Sequence, residues 1–148
     1  MPNLIRNNLV IELHVPDFGK AREFYGALGF LPAFDYPPDE KERGYLVLKR
    51  KSELGDTLIN FFCGDERVYE QSFFKQFPKD TVRGYAVEIT IPVKDVRAEY
   101  EKAKRALPAF IVRELKESND NQMRWLDFRM VDPFGYYLRL TELLDWGQ

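Results

Sequence analysis

The sequence has very little cysteine and histidine: Cys63 and His14 are the single residues of their kinds among 148. One cysteine excludes an intramolecular disulfide, a CxxC metal site and a thioredoxin-like pair. No apolar stretch approaches the roughly 18 residues that a membrane-spanning helix needs. No basic start followed by an apolar core marks a signal peptide. We therefore expect a cytoplasmic protein that has no membrane partner.

The sequence also lacks a strong charge of either sign. Its 22 Lys and Arg residues nearly balance its 24 Asp and Glu residues, which gives a formal net charge of −2. Nucleic-acid binding usually requires a basic face, so we expect no nucleic-acid partner. Neither a Walker loop nor a GxSxG, HExxH or EF-hand motif is present, which leaves the common motif-based chemistries without support.

Strand and helix patterns alternate along the first half of the chain. Leu9–Val15 alternates apolar and polar residues, as a half-buried strand does. Asp17 is a good N-cap for a helix over Phe18–Leu28. Further elements are three strands and a short helix, predicted at Phe30–Phe34, Tyr45–Lys49, Thr57–Phe62 and Asp65–Phe77.

The second half repeats this order. Ile11–Pro16 aligns with Val87–Pro92 at an offset of 76 residues, and Phe24 meets Tyr100 at the same offset. The later elements are a strand with Tyr85, Val87, Ile89 and Ile91 on one face, an Asp95-capped helix from Val96, and strands at Phe110–Leu115 and Trp125–Val131. The repeat predicts two βαβββ modules, residues 1–80 with a trailing helix and residues 81–148, in one structural domain.

A β-hairpin closes the chain. Asp132-Pro133-Phe134-Gly135 is a tight-turn sequence, because Pro presets φ, Asp bonds the backbone ahead of it and Gly supplies a positive φ. Beyond the turn, Tyr136, Leu138 and Leu140 lie on one face of a strand and Tyr137, Arg139 and Thr141 on the other. Such a strand packs one face on a core and shows the other to water or a ligand.

Two segments carry a resemblance to a known family. Val15-Pro16-Asp17 leading to Glu23–Phe30, and Phe128–Leu140 with its turn, resemble the vicinal oxygen chelate superfamily. That group contains glyoxalase I, extradiol dioxygenases and the fosfomycin- and bleomycin-resistance proteins. The resemblance implies an α+β fold in which two βαβββ modules form an open, barrel-like mixed sheet around a cavity. Together with exposed sheet edges, it also predicts a homodimer.

The resemblance further implies where a metal would bind. Metal-dependent members place His, Glu or Gln on four strands, at positions that fall here on Val10, Asn60, either Ala86 or Glu88, and Arg139. Valine has no donor atom, and arginine stays protonated and repels a cation. We therefore expect no metal and no cofactor, as in the metal-free bleomycin-resistance branch.

The alternation predicts a set of cavity-facing side chains: Val10, Glu12, His14, Asn60, Glu88, Thr90, Trp125, Asp127, Tyr137 and Arg139. From this set we predict a ligand-binding site and assign no catalytic residue; its members are Glu12, His14, Asn60, Glu88, Trp125, Tyr137 and Arg139. Arg139 is the predicted partner of Glu88 or Glu12. Two alternatives remain open, namely solvated side chains in a water-filled cavity and a non-standard metal site of Glu12, His14 and Glu88.

Two functions fit these residues. The first is a binding protein for a small cationic or aromatic molecule, with the two glutamates supplying charge and Trp125 and Tyr137 stacking. The second is a metal-dependent lyase or dioxygenase with an atypical ligand set. If the protein is an enzyme, His14 is the best candidate for a general base. Four aromatic residues are predicted to form core, namely Phe24, Phe61, Tyr85 and Phe128.

Overall fold

The computed structural model describes residues 9–41, 43–121 and 123–145. The chain divides into two compact units that meet between Thr81 and Val82. Unit 1 contains β1 (Ile11–Val15), α1 (Phe18–Ala27), β2 (Leu31–Tyr36), β3 (Tyr45–Arg50), β4 (Thr57–Cys63) and α2 (Asp65–Glu70). Unit 2 contains β5 (Glu88–Pro92), α3 (Val96–Ala106), β6 (Ile111–Asn119), β7 (Arg124–Val131) and β8 (Tyr137–Asp145). None of the helices in the described residues is long and apolar enough to cross a membrane.

Each unit builds one mixed sheet of four strands. Sheet 1 has the order β1-β4-β3-β2 and sheet 2 the order β5-β8-β7-β6. The first strand of each module pairs in parallel with the last, and the other pairs are antiparallel. The predicted fold class, α+β with two βαβββ modules, is confirmed. Their union in one structural domain stays a prediction.

The long helix of each unit begins at a capping aspartate. Asp17 Oδ1 accepts the backbone N–H of Lys20 at 3.1 Å, and Asp95 Oδ1 accepts that of Ala98 at 3.0 Å. These bonds satisfy N–H groups that a helix leaves without intrahelical partners. Both aspartates were predicted as caps, and their positions agree.

Aromatic side chains join each helix to its sheet. Tyr25 on α1 lies with its ring centre 5.3 Å from that of Phe61 on β4. Tyr100 on α3 lies 5.2 Å from Phe128 on β7. All four rings are buried. Because each helix covers one face of its sheet, the alternate side chains of the strands are left on the opposite face, where the candidate site lies.

The prediction that Tyr85 belongs to the core is wrong, since its side chain is 80% exposed. Gly84 and Ala86 have left-handed backbones, with φ of 77° and 60°, so the chain turns here and β5 starts at Glu88. A Cβ on Gly84 would lie 2.9 Å from the carbonyl oxygen of Gly135, so a side chain there meets backbone as well as strain. Tyr85 continues the apolar alternation of Val87, Ile89 and Ile91 in the sequence, although its backbone lies in a turn before the strand.

The single helix predicted over Asp65–Phe77 is also wrong. Helix α2 ends before Gln71, whose backbone is extended with ψ of 130°, and a short 3-10 turn follows over Phe74–Gln76. Phe73 and Phe77, which lie within the predicted helix, are 59% and 45% exposed. The helical spacing of the phenylalanines therefore did not correspond to a buried helix face.

Two strand boundaries differ from prediction. Strand β1 starts at Ile11, and Leu9, predicted on its buried face, is exposed. Strand β6 runs to Asn119, four polar-rich residues beyond its predicted end at Leu115. Polar residues in an exposed edge strand resemble a turn in sequence, because neither has apolar partners to pack against.

Candidate functional site

Sheet 2 carries a cluster of charged side chains on the face opposite α3. Asp127 Oδ2 accepts hydrogen bonds from Arg139 Nε at 2.7 Å and from Arg129 Nη2 at 3.2 Å. Glu88 lies 3.1 Å from Arg129 Nη1 and 3.7 Å from Arg139 Nη1. Each guanidinium therefore contacts both carboxylates. We call these four side chains the charge cluster.

The strand register brings the charge cluster together. Arg129 on β7 and Arg139 on β8 are direct cross-strand partners, and Asp127 precedes Arg129 by two residues on the same face. Glu88 on β5 is the partner of Tyr137, which precedes Arg139 by two residues. Adjacent and diagonal pairs on one sheet face lie within reach of long side chains, so the contacts follow from the pairing.

Asp127 is the deepest member of the cluster. Its side chain is 0% exposed, whereas that of Glu88 is 37% exposed. An isolated buried carboxylate would cost several kcal/mol, and neighbouring cations and hydrogen bonds offset that cost. The two arginines provide that compensation for Asp127. The alternation of the strand predicted Asp127 on this face but predicted no partner for its carboxylate.

Arg129 is held by three partners. Burial lowers its pKa, but the hydrogen bond to the Tyr137 hydroxyl, at 3.2 Å, and the charges of Asp127 and Glu88 act in the opposite direction. The net result is a pKa above the usual arginine value. Arg129 is thus a permanent cation on this face. Its hydrogen bond to the Tyr137 hydroxyl connects that residue to the charge cluster.

The two aromatic residues predicted for ligand stacking each lie against an arginine. The Arg139 Cζ atom is 5.5 Å from the ring centre of Trp125, and the Arg129 Cζ atom is 5.8 Å from that of Tyr137. Both distances are within the range of cation–π attraction. The rings therefore contribute to holding the arginines.

Strand β6 adds further positive charge to this face. Arg113 Nη1 lies 3.9 Å from Asp127 Oδ1, and Arg113 Nη2 donates to the Ser118 hydroxyl at 3.4 Å. Lys116 is the cross-strand partner of Asp127, which puts its side chain on the same face. Arg113 is 34% exposed, so it is accessible to solvent at the edge of the sheet.

The corresponding face of sheet 1 carries a smaller polar group. Asn60 Nδ2 donates to Glu12 Oε1 at 3.5 Å and, more closely, to the Tyr45 hydroxyl. Burial and then the negative charge of Glu12 raise the pKa of Tyr45 above its usual value. The three residues come from adjacent strands, because Glu12 pairs with Asn60 across β1 and β4 and Asn60 pairs with Val47 across β4 and β3.

His14 is surrounded by aromatic rings on that same face. Its imidazole stacks on Phe62, with ring centres 5.2 Å apart and planes at 21°, and meets Phe74 edge-on at 6.0 Å. Arg67 also lies over the Phe62 ring, with its Cζ atom 4.7 Å from the ring centre. His14 is therefore one member of an aromatic stack.

The predicted site residues fall into two groups. Unit 1 brings together Glu12 and Asn60 and places His14 beside them on β1. Unit 2 brings together Glu88, Trp125, Tyr137 and Arg139 on the face of sheet 2 that carries the charge cluster. The prediction that Arg139 approaches Glu88 agrees with the structure, although Arg129 is closer. Ligand binding by these residues stays a prediction.

Two of the four implied metal positions, those of Val10 and Arg139, hold residues that cannot bind a metal ion. Val10 has no donor, and Asn60 donates its amide N–H groups to Glu12 and Tyr45. Arg139 occupies the fourth position as a cation bonded to Asp127. Over the described ranges, no group of three or more His, Cys, Asp and Glu side chains has an arrangement that would hold a metal. The alternative site of Glu12, His14 and Glu88 draws on residues of both units and stays a prediction.

Sequence reasoning missed Arg129, Arg113 and Tyr45. Arg129 continues the alternation of Trp125 and Asp127, so its place on this face could have been read from the spacing. Arg113 could not, because β6 has register irregularities on both sides of it. The role of Tyr45 depends on its pairing across from Phe62, which alternation within one strand does not reveal.

Known structures share this fold. A glyoxalase/bleomycin resistance protein/dioxygenase from Alicyclobacillus acidocaldarius is 21% identical, with 95% of this chain and 96% of that chain covered and a TM-score of 0.59. An enzyme of the same description from Burkholderia phytofirmans PsJN is 18% identical, with 91% and 97% covered and a TM-score of 0.63. A glyoxalase family protein from Enterococcus faecalis is 17% identical, with 95% and 100% covered and a TM-score of 0.61.

No protein-family model and no curated protein matches the sequence. The structural matches nevertheless cover nearly the whole length of this chain and of each known structure. They show that the chain has the glyoxalase/bleomycin-resistance fold. The resemblance to the vicinal oxygen chelate superfamily, inferred from the sequence, is confirmed at the level of the fold. A fold of this kind hosts many chemistries, so the function rests on the site.

Proposed function

We propose that this chain, with its glyoxalase/bleomycin-resistance fold, binds a small organic molecule at the polar faces of its sheets without using a divalent metal. The observation that carries the proposal is the ion pair of Arg139 with buried Asp127, at 2.7 Å. The resemblance puts Arg139 at the position where metal-dependent members of the superfamily have their last carboxylate ligand. A permanent cation at that position repels a divalent ion.

The state of the carboxylates supports the same proposal. Asp127 and Glu88 each lie near two guanidiniums, so their negative charge is already compensated. A metal ion would have to displace arginines from a buried carboxylate, which leaves those arginines without partners. The four charges of the cluster therefore compensate one another.

Aromatic and hydrogen-bonding groups support a small organic ligand. Phe34 and Tyr45 on sheet 1 lie 6.1 Å apart, and Phe34 is 53% exposed at the edge strand. Exposed aromatic rings beside a few polar groups are typical of small-molecule sites. The proposal keeps the predicted role of Glu12, His14 and Asn60 as contacts on sheet 1 and of Trp125 and Tyr137 on sheet 2.

Two measurements test the proposal. Metal analysis of purified protein is expected to find no stoichiometric Fe, Mn, Ni or Zn, and chelator treatment is expected to leave the melting temperature unchanged. A thermal-shift screen against equal numbers of acidic, basic and neutral small molecules is expected to give hits in metal-free buffer. A stoichiometric metal whose removal lowers the melting temperature would instead favour a metal-dependent lyase or dioxygenase.

We also propose that the protein acts as a cytoplasmic homodimer. The edge strand β2 is exposed along its whole length, and Leu31 and Tyr36 are 71% and 56% exposed there. An exposed, apolar strand edge is a site for pairing with another chain. A second copy covering β2 would remove this apolar surface from water.

A further inference from the structure

We propose that the polar face of sheet 2 binds the oxyanion group, a carboxylate or phosphate, of a small organic molecule next to Arg113. This inference rests on the small-molecule binding proposed above and specifies the chemical class of the ligand. It departs from the sequence-based expectation of a cationic ligand, in which the two glutamates supplied free negative charge.

The charge balance of this face favours an anion. Its cations are Arg113, Lys116, Arg129 and Arg139, and its carboxylates are Asp127 and Glu88. Both carboxylates are already bonded to arginines, so their negative charge is compensated before a ligand binds. The formal surplus is two positive charges, which an anionic group would neutralise.

Buried polar atoms on this face point to an acceptor-rich ligand. Trp125 Nε1, Arg129 Nε, Thr141 Oγ1 and Asp127 Oδ1 are inaccessible to solvent and have no hydrogen-bond partner among the described residues. Trp125 Nε1 and Arg129 Nε can only donate, the Thr141 hydroxyl can donate as well, and Asp127 Oδ1 can only accept. Buried polar groups are nearly always bonded, so unpaired donors indicate that something else completes them. An oxyanion has several lone pairs to offer.

The strand pairing brings these atoms to one place. Asp127 and Thr141 are direct partners across β7 and β8, and Trp125 is the partner of Ser118 across β7 and β6. Arg113 reaches β7, where it lies 3.9 Å from Asp127, and it bonds Ser118 on its own strand. Thr141 is 2% exposed and Asp127 fully buried. The unpaired donors and the solvent-accessible arginine thus adjoin on one sheet face.

Arg113 is the side chain that is available to a ligand. Arg129 and Arg139 are engaged with two carboxylates each, at 3.1 to 3.7 Å for Glu88 and 2.7 to 3.2 Å for Asp127. Arg113 is held by one long ion pair at 3.9 Å and one weak hydrogen bond at 3.4 Å. It also stands on the edge strand with a third of its side chain exposed. Arginine binds carboxylates and phosphates with two parallel hydrogen bonds.

Probes of one shape and different charge test this inference. Benzoate and phenyl phosphate present the two oxyanions, benzamide is the neutral analogue and benzamidine the cationic one. Binding to the full chain is measured by calorimetry and thermal shift at constant ionic strength, since added salt screens surface charge. We expect benzoate or phenyl phosphate to bind more tightly than benzamide, and benzamidine not to bind; the better of the two oxyanions identifies the group.

Two variants locate the binding. Arg113→Gln removes the guanidinium and is expected to weaken oxyanion binding by about tenfold or more. Arg97→Gln makes the same charge change on the exposed surface of α3 and is expected to leave the affinity unchanged. Arg113 is partly exposed, so the fold should tolerate its replacement, and an unchanged melting temperature without ligand verifies this.

Each result has a defined meaning. The inference is overturned if benzamide or benzamidine binds as well as the oxyanions, or if Arg113→Gln and Arg97→Gln affect oxyanion binding equally. It is also overturned if neutral or basic compounds give the hits of the wider screen, although small-molecule binding itself then stands. If acids, bases and neutral compounds all fail to bind, the proposed function falls together with it.

Discussion

Arg139 bonds buried Asp127 and also approaches Glu88, at 2.7 and 3.7 Å. Arg139→Glu would place a third carboxylate beside the other two and remove one of their cations. Breaking a buried ion pair typically costs about 3–5 kcal/mol, because a charge is left uncompensated. We expect the free energy of unfolding, measured with urea, to fall by roughly that amount.

The same variant is expected to gain affinity for divalent ions, because three carboxylates then face one another. Added Mn²⁺ or Ni²⁺ should raise its melting temperature by mass action and leave the parent unchanged. Arg97→Glu, on the exposed surface of α3, is the matched control for the charge reversal. A variant as stable as the parent, with no response to metal, would show that Arg139 does not compensate these carboxylates.

At the scale of a secondary-structure element, Tyr45 reports on the contact between strands of sheet 1. Burial and the charge of Glu12 raise its pKa above the usual tyrosine value near 10. A raised pKa favours the neutral phenol in the folded protein, so this contribution to stability is present below pH ~10 and lost as pH rises through the folded pKa. Glu12→Gln removes one of the two main causes.

We therefore expect Glu12→Gln to lower the pKa of Tyr45, measured by NMR titration of the tyrosine Cζ carbons. Tyr45→Phe identifies the resonance, and Glu23→Gln, on the exposed face of α1, is the control for loss of a carboxylate. An unchanged Tyr45 titration in Glu12→Gln would mean that burial alone raises the pKa.

The closing hairpin depends on the side chain of Asp132. Its Oδ1 atom accepts the backbone N–H groups of Phe134 at 2.9 Å and Tyr136 at 2.8 Å, and the residue is 3% exposed. Asp132→Ala leaves both N–H groups without this acceptor, and we expect a loss of about 1–3 kcal/mol of stability. Asp132→Asn keeps an acceptor oxygen and should lose less. Equal losses in urea unfolding would argue that the carboxylate charge matters more than the turn bonds.

At the scale of the whole molecule, we predict a homodimer that covers strand β2. Leu31→Lys puts a charge on the exposed strand edge, and sedimentation is expected to show the parent as a dimer and this variant as a monomer. Leu54→Lys is the control, because Leu54 is 60% exposed in a turn outside the sheet. A single 17.5 kDa species for the parent at micromolar concentration would contradict the prediction.

Local sequence patterns were sufficient for much of the fold. The repeat predicted two modules of the same element order, Asp17 and Asp95 marked the helix starts, and the Asp132–Gly135 turn marked the last hairpin. These features depend on residues close in sequence, through capping, turn geometry and alternation. Alternation failed at Tyr85, where two left-handed residues turn the backbone before β5 begins.

The composition of the charge cluster was decided by the tertiary structure. Sequence spacing placed Asp127 and Arg139 on one face, but the closer partner of Glu88 proved to be Arg129, and Asp127 proved to be fully buried. Whether a carboxylate is free or neutralised depends on which strands are neighbours, their register and what covers them. Those long-range contacts distinguish a face that attracts cations from one that, with Arg113 at its edge, is suited to an anion.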